Sequence, residues 1–93
     1  MQIKELYLLF LKYPKITTDT RKDIKDSIFF CLHGDNFDGN KFAHSALDKK
    51  AAYVIIDDKE FLIKDDSRII LVDDTLETLQ QLANYHRKQF TIP

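Results

Sequence analysis

Apolar residues recur along this chain first at helical spacing and later in short unbroken runs, and that change of spacing marks out its elements. Ile3, Leu6, Tyr7 and Phe10 fall on one side of a helix, so residues 2–13 are predicted to form an amphipathic helix. Pro14 stops it, because a proline pushes the residue before it out of the α region. Leu8, Leu9 and Leu11 widen the apolar surface beyond a single stripe. Such a helix is expected to be either well buried or covered by something outside this chain.

Ile28 to Leu32 (IFFCL) is a short, apolar, strand-like run. Residues 40–50 follow as a predicted helix, with Asn40 as its cap and Phe42, Ala43, Ala46 and Leu47 facing inward. Ala52 to Ile56 and Ile69 to Val72 are β-branched and apolar and are predicted to be buried strands, each ended by aspartates. A last helix is expected over about 75–89. Asp74 lies three residues before Glu77 in the manner of a capping box, with Asp in place of the usual Ser or Thr. Leu76, Leu79, Ala83 and His86 share one face of it, with Leu82 and Phe90 beside them.

The order is therefore helix, two strand segments, helix, strand, strand, helix. That order predicts an α/β fold, a small mixed sheet flanked by about three helices, in a single domain over residues 1–93. After the last helix, Thr91-Ile92-Pro93 suggests the start of a further segment.

Composition narrows the function classes. The chain has 93 residues, 44% of them hydrophobic, with two glycines and two prolines, as expected of one modest core without flexible linkers. Fourteen basic and fifteen acidic residues are interspersed, which argues against a broad basic face for nucleic acid. No apolar run reaches the ~18 residues of a membrane span, and Lys4, Glu5 and Lys12 break up the N-terminal stretch, so neither a span nor a signal peptide is expected. The lone Cys31 cannot form an intramolecular disulfide, in keeping with a reducing, cytoplasmic setting.

Two polar clusters are the candidates for chemistry. One is Thr17-Thr18-Asp19-Thr20-Arg21. The other is His33-Gly34-Asp35-Asn36-Phe37-Asp38-Gly39-Asn40, between a strand and a helix. Turns of this composition are ordinary in themselves; the place at the carboxyl end of a strand, where α/β sheets bind ligands, singles this one out. Its glycines allow turns closed to other residues. A calcium loop with Gly39 as its obligatory glycine would begin at Gly34 and end at Ser45, where acidic ligands are required, so that reading fails. Cys31, His33, His44 and His86 match no zinc spacing, and no metal site is expected. Cys31 with His33 lacks a third group to orient the histidine, so no nucleophile–base pair and no catalytic residue is assigned. Neither GxxxxGK[ST] nor GxGxxG occurs, so the chain has no phosphate cradle for ATP.

Together the clusters resemble the N-terminal domain of the Mur ligase family. The family pattern is Asp-Ser-Arg, a short gap, an apolar strand ending in Gly, then Asp-Gly and an aromatic. Here these are Asp19-Thr20-Arg21, Ile28 to Leu32, Gly34, Asp38-Gly39 and Phe42. An Ala-containing helix leading into a valine-rich strand is matched by Ala46-Leu47 through Ala51-Ala52-Tyr53-Val54-Ile55-Ile56. The closing stretch, Val72 to Leu76, Leu79-Gln80, Leu82-Ala83 and Arg87, is similar to the members that join D-alanyl-D-alanine to a UDP-linked muramoyl tripeptide. Members that add the third peptide residue share less of it. Thr20 stands where serine is usual and keeps its hydroxyl. Lys50 stands where glycine is usual, so its turn either avoids a positive φ or is strained.

The resemblance implies a substrate-binding domain of a cytoplasmic ligase in peptidoglycan precursor synthesis. It places Thr18, Thr20, Arg21, Asp35, Asn36 and Phe37 around the uridine diphosphate, with Asp19, Gly34, Asp38 and Gly39 as loop support. Arg21 is expected either to pair with Asp19 or Asp38 and tie the loops together, the preferred role, or to reach the diphosphate. ATP and magnesium are implied for the full-length enzyme only, and the partners implied are the UDP-linked muramoyl peptide and a central domain in cis. This chain alone is then expected to be inactive. A free-standing module that docks a protein partner through the broad apolar face of residues 3–11 is the reading from another class.

Overall fold

A computed structural model describes residues 2–19, 21–34 and 38–89. Thr20, Asp35, Asn36, Phe37 and Phe90, all singled out above, lie outside the described residues.

Helix α1 (Ile3–Lys12) buries Leu6 and Tyr7 and ends where Tyr13 donates its N–H to Leu9 O. Of the two expectations for its broad apolar surface, full burial does not hold: Leu8 and Leu11 are 58% and 55% exposed. Four short strands follow, β1 (Ile16–Thr17), β2 (Ile28–Phe30), β3 (Tyr53–Ile56) and β4 (Ile69–Leu71). Helix α2 (Ala43–Asp48) lies between β2 and β3, and α3 (Thr75–Lys88) follows β4. The sheet order is β1-β2-β3-β4 and every pairing is parallel. The α/β class and the three flanking helices are as expected; the sheet, expected to be mixed, is parallel throughout its named strands.

Parallel sheets need cover on both faces, which explains the unbroken apolar runs. Ile28, Phe30, Ile55 and Ile70 pack with Leu6, Tyr7 and Leu82 of α1 and α3. Phe29, Cys31, Val54, Ile56 and Ile69 point the other way, toward Ala43, Ala46 and Leu47 of α2 and toward Ile24. Each large side chain fully buried here is worth roughly 1.5–3 kcal/mol. The exposed Lys15–Asp23 pair adds little by comparison, because water screens it. The sheet is held by its two apolar layers.

Three details differ from expectation. Asp38, not Asn40, caps the segment after β2, which opens as a 3-10 turn (Gly39–Phe42) before becoming α2. Phe42, expected inward, is 46% exposed. On α3 the inward side is Thr75, Leu79, Leu82, Tyr85 and His86, while Leu76 and Ala83, expected to share it, face solvent. The aromatic residues of α1 turn that face: Tyr7 lies against Tyr85 and bonds His86 Nδ1 at 3.1 Å, and Phe10 meets the His86 ring edge-on.

Candidate functional site

The carboxyl ends of β1 and β2 open onto a cleft of about 560 Å³ lined by Thr18, Asp19, Arg21, Phe29, Leu32, Gly39 and Phe42. Between β1 and β2 the described residues, 18–19 and 21–27, contain no helix and run as turns, bends and irregular chain. Among the described residues, Thr18, Asp19 and Arg21 of the first polar cluster meet Gly39 of the second at the cleft, while His33, Gly34, Asp38 and Asn40 do not line it. Phe29 and Phe42 supply the apolar lining, with polar groups on the rim.

The first cluster is held by its own backbone. Thr17 is buried and its Oγ1 donates to Asp19 O at 3.3 Å, which turns the chain out of β1. Asp19 accepts from Arg21 N at 2.9 Å, and from Arg21 Nε and an Nη at 3.1 and 3.0 Å. The Arg21 hydrogen bonds hold the Asp19 carboxyl down at about 2. Arg21 does pair with Asp19, within its own loop; among the described residues its ion pair is with Asp19 and not with Asp38. Its side chain is 89% exposed at the cleft rim. Thr18 is exposed there too.

The second cluster is built against a buried carboxylate that the sequence did not single out. Asp57 closes β3, and its side chain is only 6% exposed. Oδ1 accepts from Asn40 Nδ2 at 2.8 Å, and the Asp57 N–H returns a bond to Asn40 Oδ1 at 3.0 Å. Oδ2 lies 3.0 Å from His33 Nε2 and 3.1 Å from both the N–H and the hydroxyl of Thr75, the first residue of α3. The same hydroxyl is 2.9 Å from Cys31 O. Burial raises the Asp57 carboxyl; the hydrogen bonds from Asn40, Thr75 and His33 outweigh it, and the net shift is downward. Its place at the start of α3 adds the favourable end of the helix dipole. The only sequence signal was an aspartate directly after a buried strand, which as readily marks a strand's end.

Around this carboxylate the two described ends of the loop are closely packed. Asp38 Oδ1 accepts from both Asn40 N and Asn40 Nδ2, at 2.9 and 2.7 Å. His33 and Asp38 form an antiparallel bridge, and Gly39 N donates to Leu32 O at 2.7 Å. Gly39 is required by this close approach: a Cβ would collide with the Leu32 carbonyl oxygen and sit 2.8 Å from Leu32 N. Gly39 is thus closed to other residues, as expected, through close approach rather than through a positive φ. Gly34 is exposed.

Cys31 and His33 do not form a reactive pair. Cys31 is fully buried among the α2-side apolar residues, and burial pushes its thiol up to about 12. Among the described residues, no cluster of His, Cys, Asp or Glu is arranged to hold a metal ion, and no helix is long and apolar enough to cross a membrane.

Residues 12–87 match the family described as "Mur ligase family, catalytic domain". The chain is 35% identical over 83 residues to the UDP-N-acetylmuramoyl-tripeptide–D-alanyl-D-alanine ligase of Synechocystis, covering 89% of the chain and 18% of that protein. It is 33% identical over 70 residues to the UDP-N-acetylmuramoyl-L-alanyl-D-glutamate–2,6-diaminopimelate ligase of Rickettsia typhi, covering 75% of the chain and 14% of that protein. The crystal structure of the MurF ligase from Thermotoga maritima in complex with ADP superposes with a TM-score of 0.72 at 25% identity, over 83% of this chain and 17% of that one. The chain thus spans less than a fifth of the length of these relatives.

Proposed function

The chain belongs to the Mur ligase family, and from that premise we propose that it is the N-terminal, substrate-holding domain of a MurF-type ligase. On this reading the whole enzyme uses ATP and magnesium to join D-alanyl-D-alanine to UDP-N-acetylmuramoyl-tripeptide in the cytoplasm, in peptidoglycan precursor synthesis. This domain grips the uridine diphosphate end of the substrate and is inactive alone. The phosphate cradle and the magnesium ligands belong to the domains that bind ATP and the amine, and no step of the chemistry is assigned to the residues described above.

The observation that supports the reading best is the convergence of Thr18, Asp19 and Arg21 with Leu32, Gly39 and Phe42 on one cleft at the carboxyl ends of β1 and β2. The chemistry suits a nucleotide handle. A uracil has a flat apolar face and a carbonyl–NH–carbonyl edge. Phe37 can stack on the face, and Thr18, Thr20, Asp35 and Asn36 offer the donors and acceptors that the edge needs. Among the described residues Arg21 pairs with Asp19, in an exposed pair of the kind that contributes little. A diphosphate, with more charge and more acceptor oxygens, can draw the guanidinium away and take it in a bidentate grip.

The test is calorimetry of the chain with UDP and with uridine. UDP should bind, Thr18→Ala should weaken both ligands, and Arg21→Ala should weaken UDP while leaving uridine unchanged. No heat from UDP at millimolar concentration, or equal losses for both ligands in Arg21→Ala, would count against the nucleotide grip or against the Arg21 role respectively.

A diaminopimelate-adding ligase is the second reading, favoured by the Rickettsia typhi similarity. It shares the UDP handle, so the two readings part at the amine: ligase assays of the full-length protein with D-alanyl-D-alanine and with diaminopimelate decide between them.

A further inference from the structure

We propose that Asp57 is the positioning residue of the substrate loop, fixing both of its ends with one carboxylate, and that the nucleotide site is set from the start of α3 through it. This inference rests on the assignment of residues 34–39 to the uridine diphosphate handle. Four observations carry it. His33, where the loop begins, meets Asp57 Oδ2 at 3.0 Å. Asn40, where the loop ends, is 1% exposed and exchanges two bonds with Asp57, one through the side-chain oxygen and one through the backbone N–H. The first residue of α3 holds the same carboxylate from behind, through the N–H and hydroxyl of Thr75. Asp38 then repeats the grip on Asn40 from inside the loop.

The donors demand a carboxylate. Asn40 Nδ2, Thr75 N–H, Thr75 Oγ1 and His33 Nε2 all approach Asp57, whose two oxygens only accept when ionised. An asparagine has the same shape but must present an NH2 to one of these sets of donors, so one end of the loop is released. A glutamate keeps the charge and the acceptors. A side chain that merely filled space would not distinguish aspartate from asparagine and would reject the longer glutamate. Neither Asp57 nor Thr75 lines the cleft, so their effect on a nucleotide must pass through the loop.

The experiment compares the wild-type chain with Asp57→Asn, Asp57→Glu and His33→Ala by three readouts: thermal melting, amide hydrogen exchange at Gly39 and Asn40, and affinity for UDP. In Asp57→Asn, exchange at these two amides should accelerate at least tenfold well below the melting temperature, and UDP should bind about tenfold more weakly, the size of one lost charge-assisted hydrogen bond. Asp57→Glu should recover part of both. His33→Ala changes an exposed residue and so reports on one end of the clamp even where Asp57→Asn fails to fold; it should weaken UDP several-fold with little change in melting. Unchanged exchange and UDP affinity in His33→Ala and Asp57→Asn would overturn the proposal, as would an Asp57→Asn that melts earlier yet binds UDP normally while folded. A wild-type chain that protects the loop but ignores UDP would instead refute the nucleotide handle and leave Asp57 as the clamp of a loop with another ligand.

Discussion

Lys50 sits in the left-handed region, with φ of 70°, two residues past the end of α2. Its N–H bonds to Leu47 O and the next N–H, of Ala51, reaches back to Ala46 O, the paired bonds of a Schellman ending. A lysine there keeps its Cβ against the carbonyl, at a cost of about 1 kcal/mol relative to glycine. Of the two outcomes the sequence allowed for a lysine in place of glycine, strain is the one found. Lys50→Gly should therefore raise stability by roughly 0.5–1 kcal/mol, read as a higher urea midpoint at unchanged slope. Gly39 is the opposite case. Gly39→Ala forces a methyl into the Leu32 backbone, which cannot give as a side-chain tip would, and should cost about 3 kcal/mol or more. An equal midpoint would show that the loop lies farther from Leu32 than described. Single residues were legible in sequence where one chemical property decides: Cys31 as part of an apolar strand and not a nucleophile, Gly39 as a position closed to other residues. Asp57 was not, because its meaning depends on Asn40 and Thr75, each 17 or 18 positions away.

At the scale of elements, helix and strand positions followed from apolar spacing because both faces of the sheet are covered. Two strand segments were expected before α2, but spacing located only the one at Ile28; β1, the two residues Ile16 and Thr17, is too short for any period to register. For α3 spacing gave Leu79, Leu82 and His86 on the inward side but also placed Leu76 and Ala83 there, which face solvent while Tyr85 packs on Tyr7. The start of α3 was legible and rests on two aspartates with separate tasks. Asp74 accepts from Glu77 N at 2.9 Å as the cap, and Asp57 takes the N–H of Thr75. Asp74→Ala should lower stability by about 1 kcal/mol in thermal or urea unfolding. Asp57 brings a pH dependence. Its folded carboxyl is held below the ordinary 3.8 because the hydrogen bonds outweigh burial. Its stabilisation is thus complete above the unfolded value of about 3.9 and is lost as pH falls through the folded one. Acid titrations of stability should show a shallower fall below pH ~4 in Asp57→Asn than in wild type. Parallel curves would mean that the carboxylate is not engaged as described.

For the molecule as a whole, the chain is a parallel sheet with helices on both faces, and the cleft lies at the carboxyl ends of β1 and β2. The family was legible in the order and spacing of weak motifs, none of which is specific alone. The meeting of Thr18, Asp19 and Arg21 with Gly39 at the cleft follows from parallel pairing of β1 with β2, a contact that only the fold supplies. The central claim is that this cleft holds the nucleotide end of the substrate and that ATP is bound elsewhere in the enzyme. An NMR titration of the chain with UDP and, separately, with ATP tests it most directly. The account predicts shifts on UDP confined to Thr18–Arg21 and Gly34–Asn40, weakened by Thr20→Ala and Asn36→Ala, with no comparable response to ATP. Silence toward UDP at millimolar concentration, or shifts centred on the outer face of α1 instead, would contradict it.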